Sequence, residues 1–172
     1  MKVPIIHIIG LPGAGKTTLA KQLSKKLKVP IYGIGAYRER FPMTAIGEAD
    51  AWLALFWDLS KRGWQNCILE TTGLNKREHF LSDALPFDRM IVIKLEASRK
   101  ILMERIGQKK KSEQGGKWLY SADLKNKYEF VKKLYSIFKK IGAHFSIQTD
   151  HMTKEQVFCA VFKRIENNVL MD

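Results

Sequence analysis

The chain has 172 residues, of which 45% are hydrophobic and 27% charged, and its 30 Lys and Arg against 17 Asp and Glu give a formal net charge of +13. This composition is typical of a globular domain and excludes a disordered chain, and no apolar run approaches the roughly 18 residues of a membrane helix. The two cysteines, Cys67 and Cys159, have no CxxC or Cys/His spacing, which argues against a disulfide framework or a zinc site. We therefore expect one cytoplasmic domain over residues 1–172 with no membrane partner.

The predicted elements alternate between apolar strands and amphipathic helices. Residues 3–9 form a β-branched apolar run that is typical of a strand buried on both faces, and residues 44–62 have apolar residues at helical spacing. Five strands interleaved with helices predict an α/β domain with a parallel sheet. In chain order, the sequence predicts strands over 3–9, 31–34, 67–71, 90–95 and 145–149, helices over 16–27, 44–62, 75–85, 98–106, 121–141 and 153–166, and an aperiodic basic loop over 107–120.

Positive charge is concentrated in the second half of the chain. Between Arg105 and Lys140 there are eleven basic and three acidic residues, a net charge of +8 in 36 residues. A field of this sign favours anionic partners such as phosphates, nucleic acid or an acidic membrane surface, and a solvated lysine-rich surface is the alternative.

One motif indicates a specific chemistry. Residues 10–17 match the phosphate-binding pattern G-x-x-x-x-G-K-[ST] at every fixed position, between a buried strand and a helix. The backbone of such a loop curls around a phosphate, since glycine has no Cβ, and its N–H groups and the helix N-terminus attract the anion. Lys16 would reach the β- and γ-phosphates, and Thr17 offers a hydroxyl to Mg²⁺. The predicted nucleotide-binding residues here are Gly10, Leu11, Pro12, Gly13, Ala14, Gly15, Lys16, Thr17 and Thr18.

A magnesium site beside such a loop needs an acidic residue at the end of another core strand. Glu70 lies near the end of the strand predicted over 67–71. Sites of this class usually use Asp, so a Glu reaches about one methylene further. The sequence therefore predicts that Thr17 and Glu70 organise Mg²⁺; a carboxylate satisfied by a nearby lysine is the alternative.

With these motifs the sequence resembles the small P-loop kinases, the group of adenylate, shikimate and gluconate kinases, polynucleotide kinases and zeta-type toxins. The resemblance extends over nearly the whole chain. It implies a three-layer fold with a five-stranded parallel sheet in the order 2-3-1-4-5, an ATP–Mg²⁺ site and a basic lid over 107–120. Residues 69–75 are closer to the polynucleotide-kinase and zeta-toxin type.

The same resemblance implies roles for three basic residues. Residues 34–38 look like the segment of nucleoside monophosphate kinases in which an arginine grips the acceptor phosphate, so Arg38 would be its counterpart. A surface ion pair is the alternative for Arg38. The L-x-x-R-I pattern ending at residue 106 looks like the segment that leads into the lid. Arg105 would then match the arginine over the adenine, and Lys109 a further lid arginine.

The chain departs from this family pattern in two places. Kinases of hydroxyl groups usually have an Asp after the second strand as general base, and residues 33–38 contain none. A phosphate acceptor needs no base, so this absence favours a phosphate acceptor or moves the base elsewhere. The lid is rich in lysine, which supplies positive charge but cannot bind a phosphoryl group in the bidentate manner of arginine. The alternative to a phosphate-binding lid is a plain solvated loop. The alternative bases are Glu39, Glu48, Asp50 and Glu70, and the lid lysines are Lys109, Lys110, Lys111 and Lys117.

Several other side chains have two interpretations. Lys76 and Arg77 follow the third strand, where they could hold an acidic acceptor or remain exposed. His7 lies inside a predicted strand, so we expect it to be a core histidine whose polar atoms have hydrogen-bond partners. The aromatic residues at helical spacing are expected to pack in the core rather than to stack on a base, whereas those beside the basic loop could stack on a base. The first group is Trp52, Phe56 and Trp57, and the second is Trp118 and Tyr120.

The sequence therefore predicts an ATP- and Mg²⁺-dependent phosphotransferase. It would transfer the γ-phosphoryl group of ATP to a small anionic acceptor, phosphate-bearing like a nucleotide, with Lys16, Arg38 and Glu70 as catalytic residues. One alternative is a nucleic-acid 5′-hydroxyl kinase, which the charge and residues 69–75 favour and the missing Asp disfavours. The others are a nucleotide-binding NTPase switch and a degenerate kinase that binds ATP without transfer.

Overall fold

The computed structural model describes residues 3–78, 89–108 and 127–169. Its centre is a five-stranded sheet in which every pair of neighbours is parallel, in the order β2-β3-β1-β4-β5. The predicted α/β class and strand order are confirmed. The strands are β1 (Ile5–Gly10), β2 (Ile31–Gly33), β3 (Cys67–Thr71), β4 (Met90–Glu96) and β5 (Phe145–Gln148).

Strand β1 is buried on both faces because it lies at the middle of the sheet with helices on each side. Ile6 and Ile8 belong to one core cluster, and Ile5 and Ile9 belong to the other. All four are at most 2% exposed, and a fully buried isoleucine contributes about 1.5–3 kcal/mol to folding. The continuous β-branched run therefore holds the end of β1, where the phosphate-binding motif begins, in a fixed place.

The described helices are α1 (Lys16–Leu27), α2 (Ile34–Arg38), α3 (Ala45–Lys61), α4 (Arg99–Gln108), α5 (Lys127–Lys139) and α6 (Lys154–Val169). The prediction missed α2, because a five-residue helix is too short to show periodicity, and Ile34 belongs to it instead of to β2. Predicted loop residues 107 and 108 are helical, since α4 continues through them.

Other boundaries shift by a few residues, as helix and strand ends do. Strand β1 begins at Ile5 instead of residue 3, α5 ends at Lys139 instead of residue 141, and α6 continues to Val169 instead of residue 166. Of the helix predicted over 75–85, residue 75 is not helical, residues 76–78 are helical and residues 79–85 lie outside the described residues, as do residues 121–126 of the helix predicted over 121–141.

Helix α3 packs only part of its apolar surface against the sheet. Trp52, Leu55 and Leu59 are fully buried, whereas Ile46, Leu53 and Trp57 are each more than 60% exposed. The prediction that Trp57 belongs to the core is therefore wrong, because a helix packed on one face of a sheet buries only part of its circumference. In the part of the chain that the structure describes, no helix is long and apolar enough to cross a membrane.

Candidate active site

The phosphate-binding loop connects β1 to α1 and has the backbone conformation that an anion cradle requires. Gly13 and Gly15 have φ angles of 87° and 96°, which favour glycine, and Gly15 caps α1 with no side-chain hydrogen bond to the helix. A Cβ on Gly13 would lie 2.8 Å from the carbonyl oxygen of Leu102. Helix α4 therefore packs tightly on the loop, and the first N–H groups of α1 remain available to a phosphate.

Lys16 is the first residue of α1 and folds back over the loop. Its Nζ atom lies 3.4 Å from the carbonyl oxygen of Leu11, a residue with no exposed surface. The ammonium group is thus held above the loop that would bind the phosphates. This is where charge on a bound triphosphate needs compensation.

Thr17 and Glu70 come from different elements and meet beside the loop. The Thr17 hydroxyl donates a 2.7 Å hydrogen bond to Oε1 of Glu70. A hydroxyl and a carboxylate are hard oxygen ligands of the kind Mg²⁺ prefers, so the pair fits that cation. Within the described ranges, no group of three or more His, Cys, Asp or Glu could hold a metal ion. A cation here would therefore complete its shell with water and nucleotide phosphates, as Mg²⁺ commonly does.

Arg105 borders an open pocket that begins at the phosphate-binding loop. The pocket has a volume of about 700 Å³ and is lined by loop residues together with Thr18, Arg105, Thr149 and Met152. The Arg105 guanidinium donates to the side-chain and main-chain oxygens of Thr149, at 2.9 and 2.6 Å. These two bonds fix the plane of the guanidinium at the pocket wall, a suitable arrangement for stacking on a base.

Arg38 lies at the end of α2 and forms a bidentate ion pair with Glu48 of α3. The Nε and Nη2 atoms of Arg38 donate to the two Glu48 oxygens at 2.8 and 2.6 Å, and the Arg38 side chain is only 11% exposed. Glu48 also accepts from Nε1 of Trp52 at 2.9 Å and from Nδ2 of Asn75 at 3.2 Å. The surface ion pair considered as the alternative for Arg38 is thus a partly buried pair within a network.

A second polar network lies under the loop that follows β3. The Thr71 hydroxyl donates to Oε2 of Glu78 at 2.8 Å, and Nε2 of His7 lies 2.8 Å from the same hydroxyl. All three residues are at most 3% exposed. Burial raises the pKa of Glu78 to about 7, although the hydrogen bond from Thr71 acts to lower it. His7 is thus buried in the core, as predicted, and its Nε2 atom has a polar partner.

The remaining predicted residues divide into three groups. Glu39, Lys76 and Arg77 are exposed, and Asp50 is partly buried. Lys109, Lys110, Lys111, Lys117, Trp118 and Tyr120 lie outside the described residues, as does the lid from residue 109 onward. Sequence reasoning missed the Arg38–Glu48–Asn75 network and the Arg105–Thr149 contact, since each joins elements that no local motif connects.

The AAA domain family model matches residues 6–129, which include the phosphate-binding loop, Glu70 and Arg105. The chain belongs to this family. No curated protein matches this AAA-domain chain in sequence.

Solved structures show the fold of this AAA-domain protein. It is similar to shikimate kinase from Acinetobacter baumannii in complex with shikimate, with a TM-score of 0.66, 19% identity and coverage of 96% of this chain and 94% of that one. It is also similar to thymidylate kinase from Candida albicans, with a TM-score of 0.61, 20% identity and coverage of 97% and 92%. The fold is that of the small P-loop kinases, and the resemblance seen in the sequence is confirmed at that level.

Proposed function

We propose that this protein is an ATP- and Mg²⁺-dependent kinase that transfers the γ-phosphoryl group to a small acceptor. The observation that carries the proposal is the contact between Thr17 and Glu70 beside the phosphate-binding loop. It brings together two oxygen ligands suited to Mg²⁺ at the place where a triphosphate bound by the loop would present its β- and γ-phosphates. The fold shared with solved kinases supports the same reading.

In the proposed reaction, an acceptor oxygen forms a bond to the γ-phosphorus while the bond from that phosphorus to the bridging oxygen of ADP breaks. Catalysis of this kind rests on positioning and charge compensation. The N–H groups at the start of α1 hold the phosphates, and Lys16 compensates the charge that develops on the transferred group. Thr17 and Glu70 would hold Mg²⁺, which supplies further positive charge to the phosphates.

The base of the nucleotide is proposed to lie in the pocket beside Arg105. The guanidinium is oriented by Thr149, and the pocket volume of about 700 Å³ accommodates a base and a ribose. Because the pocket opens directly from Gly13 and Gly15, one nucleotide can occupy both the loop and the pocket.

For the acceptor, we propose a phosphate-bearing molecule such as a nucleotide, bound near Arg38. Glu48 engages Nε and Nη2 of the guanidinium, and Nη1 takes part in neither bond. We propose that Nη1 donates to the acceptor phosphate. The segment after β2 is the helix α2 and offers no Asp as a base, in keeping with an acceptor that is already an anion.

The test is transfer from γ-labelled ATP in the presence of Mg²⁺ to two pools, nucleoside monophosphates and 5′-hydroxyl oligonucleotides. We expect label on a monophosphate and none with Lys16→Ala. Label on an oligonucleotide would show that the acceptor is a nucleic-acid 5′-hydroxyl instead of a phosphate. The net charge of +13 favours this second candidate. Free phosphate with no labelled acceptor in these or wider pools would contradict the kinase and indicate an NTPase.

A further inference from the structure

Glu48 is the point at which three separate elements meet. It lies in the first turn of α3, which Thr44 caps through a 3.1 Å hydrogen bond from the Gly47 N–H. Its two oxygens accept four hydrogen bonds, two from Arg38 of α2, one from Trp52 of α3 and one from Asn75 of the loop after β3. A partly buried carboxylate with four donors is held in one position.

The orientation of each donor is itself fixed. Trp52 is fully buried, so its indole cannot turn away. The side-chain oxygen of Asn75 accepts from the Arg77 N–H at 2.9 Å, which directs the amide nitrogen of Asn75 toward Glu48. Glu48 is therefore a fixed support for Arg38.

These contacts lie beyond the carboxyl ends of the strands, at the end of the sheet that also carries the phosphate-binding loop. An acceptor would approach the γ-phosphate from this end. Gly33 of β2 is paired with Glu70 of β3, and the two strands are parallel. Arg38 and Asn75 each follow this pair by five residues, so both lie beyond the carboxyl ends of their strands. Glu48 connects them across that edge.

We propose that Glu48 is a positioning residue for the acceptor, holding the Arg38 guanidinium so that its remaining nitrogen faces the bound acceptor. This inference rests on the proposed kinase function. Both Glu48 oxygens are already occupied by donors, which leaves little capacity to take a proton from the acceptor. Its contribution is therefore to the binding and orientation of the acceptor and not to proton transfer.

The test is a double-mutant cycle with Arg38→Ala and Glu48→Gln, measured with the acceptor that the wild type labels. In Glu48→Gln one carboxylate oxygen becomes an amide nitrogen that cannot accept, so the guanidinium loses one of its two bonds and the negative charge of its partner. We expect each single variant to raise the KM for the acceptor about 10- to 100-fold, the cost of a hydrogen bond to a charged group. The double variant should be no worse than Arg38→Ala, because Glu48 acts through that side chain.

The matched control is Tyr37→Phe. The Tyr37 hydroxyl donates to Asp58 at 2.8 Å and so joins the same two helices, α2 and α3, without touching Glu48. For this control we expect an acceptor KM within about threefold of the wild-type acceptor KM. For all variants we expect a KM for ATP within about threefold of the wild-type KM for ATP.

Four results would overturn the proposal. The first is an acceptor KM in Glu48→Gln equal to that of the wild type, and the second is a double variant in which the two increases in acceptor KM add. The third is a rise in acceptor KM in Tyr37→Phe as large as that in Glu48→Gln. The fourth is a Glu48→Gln variant in which only kcat falls, which would indicate that Glu48 is a base. A wild-type protein that labels no acceptor would instead refute the proposed kinase function, and the role of Glu48 with it.

Discussion

The side chains of Thr17 and Glu70 are 2.7 Å apart although the residues are 53 positions apart in the chain. One lies in the first turn of α1 and the other near the end of β3, and β3 lies beside β1 in the sheet. The order of the strands thus brings the two predicted magnesium ligands together. This contact is the basis of the first prediction.

Glu70→Gln should weaken the use of Mg²⁺ and leave binding of ATP without the cation nearly unchanged. An amide keeps the size of the side chain but loses the charge that Mg²⁺ prefers. We expect kcat to fall about 10- to 100-fold and the Mg²⁺ concentration for half-maximal activity to rise, measured by Mg²⁺ titration of the transfer rate. Glu104→Gln, which changes an exposed carboxylate on α4, is the control. An unchanged Mg²⁺ dependence in Glu70→Gln would contradict the assignment.

Arg105→Ala should raise the KM for ATP about tenfold with a smaller effect on kcat. The substitution removes the planar group that Thr149 holds at the pocket wall, while the phosphate-binding loop stays intact. Steady-state kinetics with varied ATP measure this, and Arg99→Ala, an exposed arginine of the same helix, controls for the loss of charge. A KM for ATP that rises equally in both variants would show that the pocket does not hold the base.

Gly13→Ala should destabilise the protein by about 2 kcal/mol or more and abolish tight ATP binding. The φ angle of 87° disfavours a side chain, and the new Cβ would press on the carbonyl oxygen of Leu102. Gly35→Ala is the matched control, because a Cβ there meets no atom within 4 Å and alanine is favoured in a helix. Urea unfolding compares the two; equal stability of both variants would refute the packing argument.

The stability of the protein should fall as the pH rises past the titration of Glu78. Its pKa is raised to about 7 in the folded state from 4.5, so the folded protein binds this proton more tightly than the unfolded chain does. The contribution is fully present below about pH 4.5 and is lost as the pH rises through 7. Glu78→Gln removes this titration, so its stability relative to the wild type should increase by about 3 kcal/mol between pH 5 and pH 8.5. Urea unfolding at both pH values measures the difference; a constant difference would mean that Glu78 is not buried as a neutral acid.

The sequence was sufficient to predict those features that a contiguous pattern carries. The apolar run in β1 predicted a central strand, and residues 10–17 predicted the phosphate-binding loop directly after it. The strand order came from the resemblance to small P-loop kinases, because alternation of strands and helices alone leaves several orders open. Glu70 could be proposed as a magnesium ligand since it lies near the end of a predicted core strand.

The features that could not be predicted depend on contacts between distant segments. Helix α2 is too short to leave a periodic signal, and the pairing of Arg38 with Glu48 requires that α2 and α3 pack together. The Arg105–Thr149 contact joins residues 44 positions apart through the packing of α4 near the end of β5. The apolar residues of α3 lie on more than one face of the helix, so only the packing shows that Trp52 is buried and Trp57 exposed.

The most direct test of the account is calorimetric titration of the protein with Mg²⁺–ATP, for the wild type and Lys16→Ala. Every step of the proposed transfer requires that the triphosphate occupy the loop beneath Lys16. We predict saturable binding by the wild type with one site, and affinity at least about tenfold weaker in Lys16→Ala, because an interaction with a charged group is lost. No binding by the wild type, or equal affinity in the two proteins, would contradict the account.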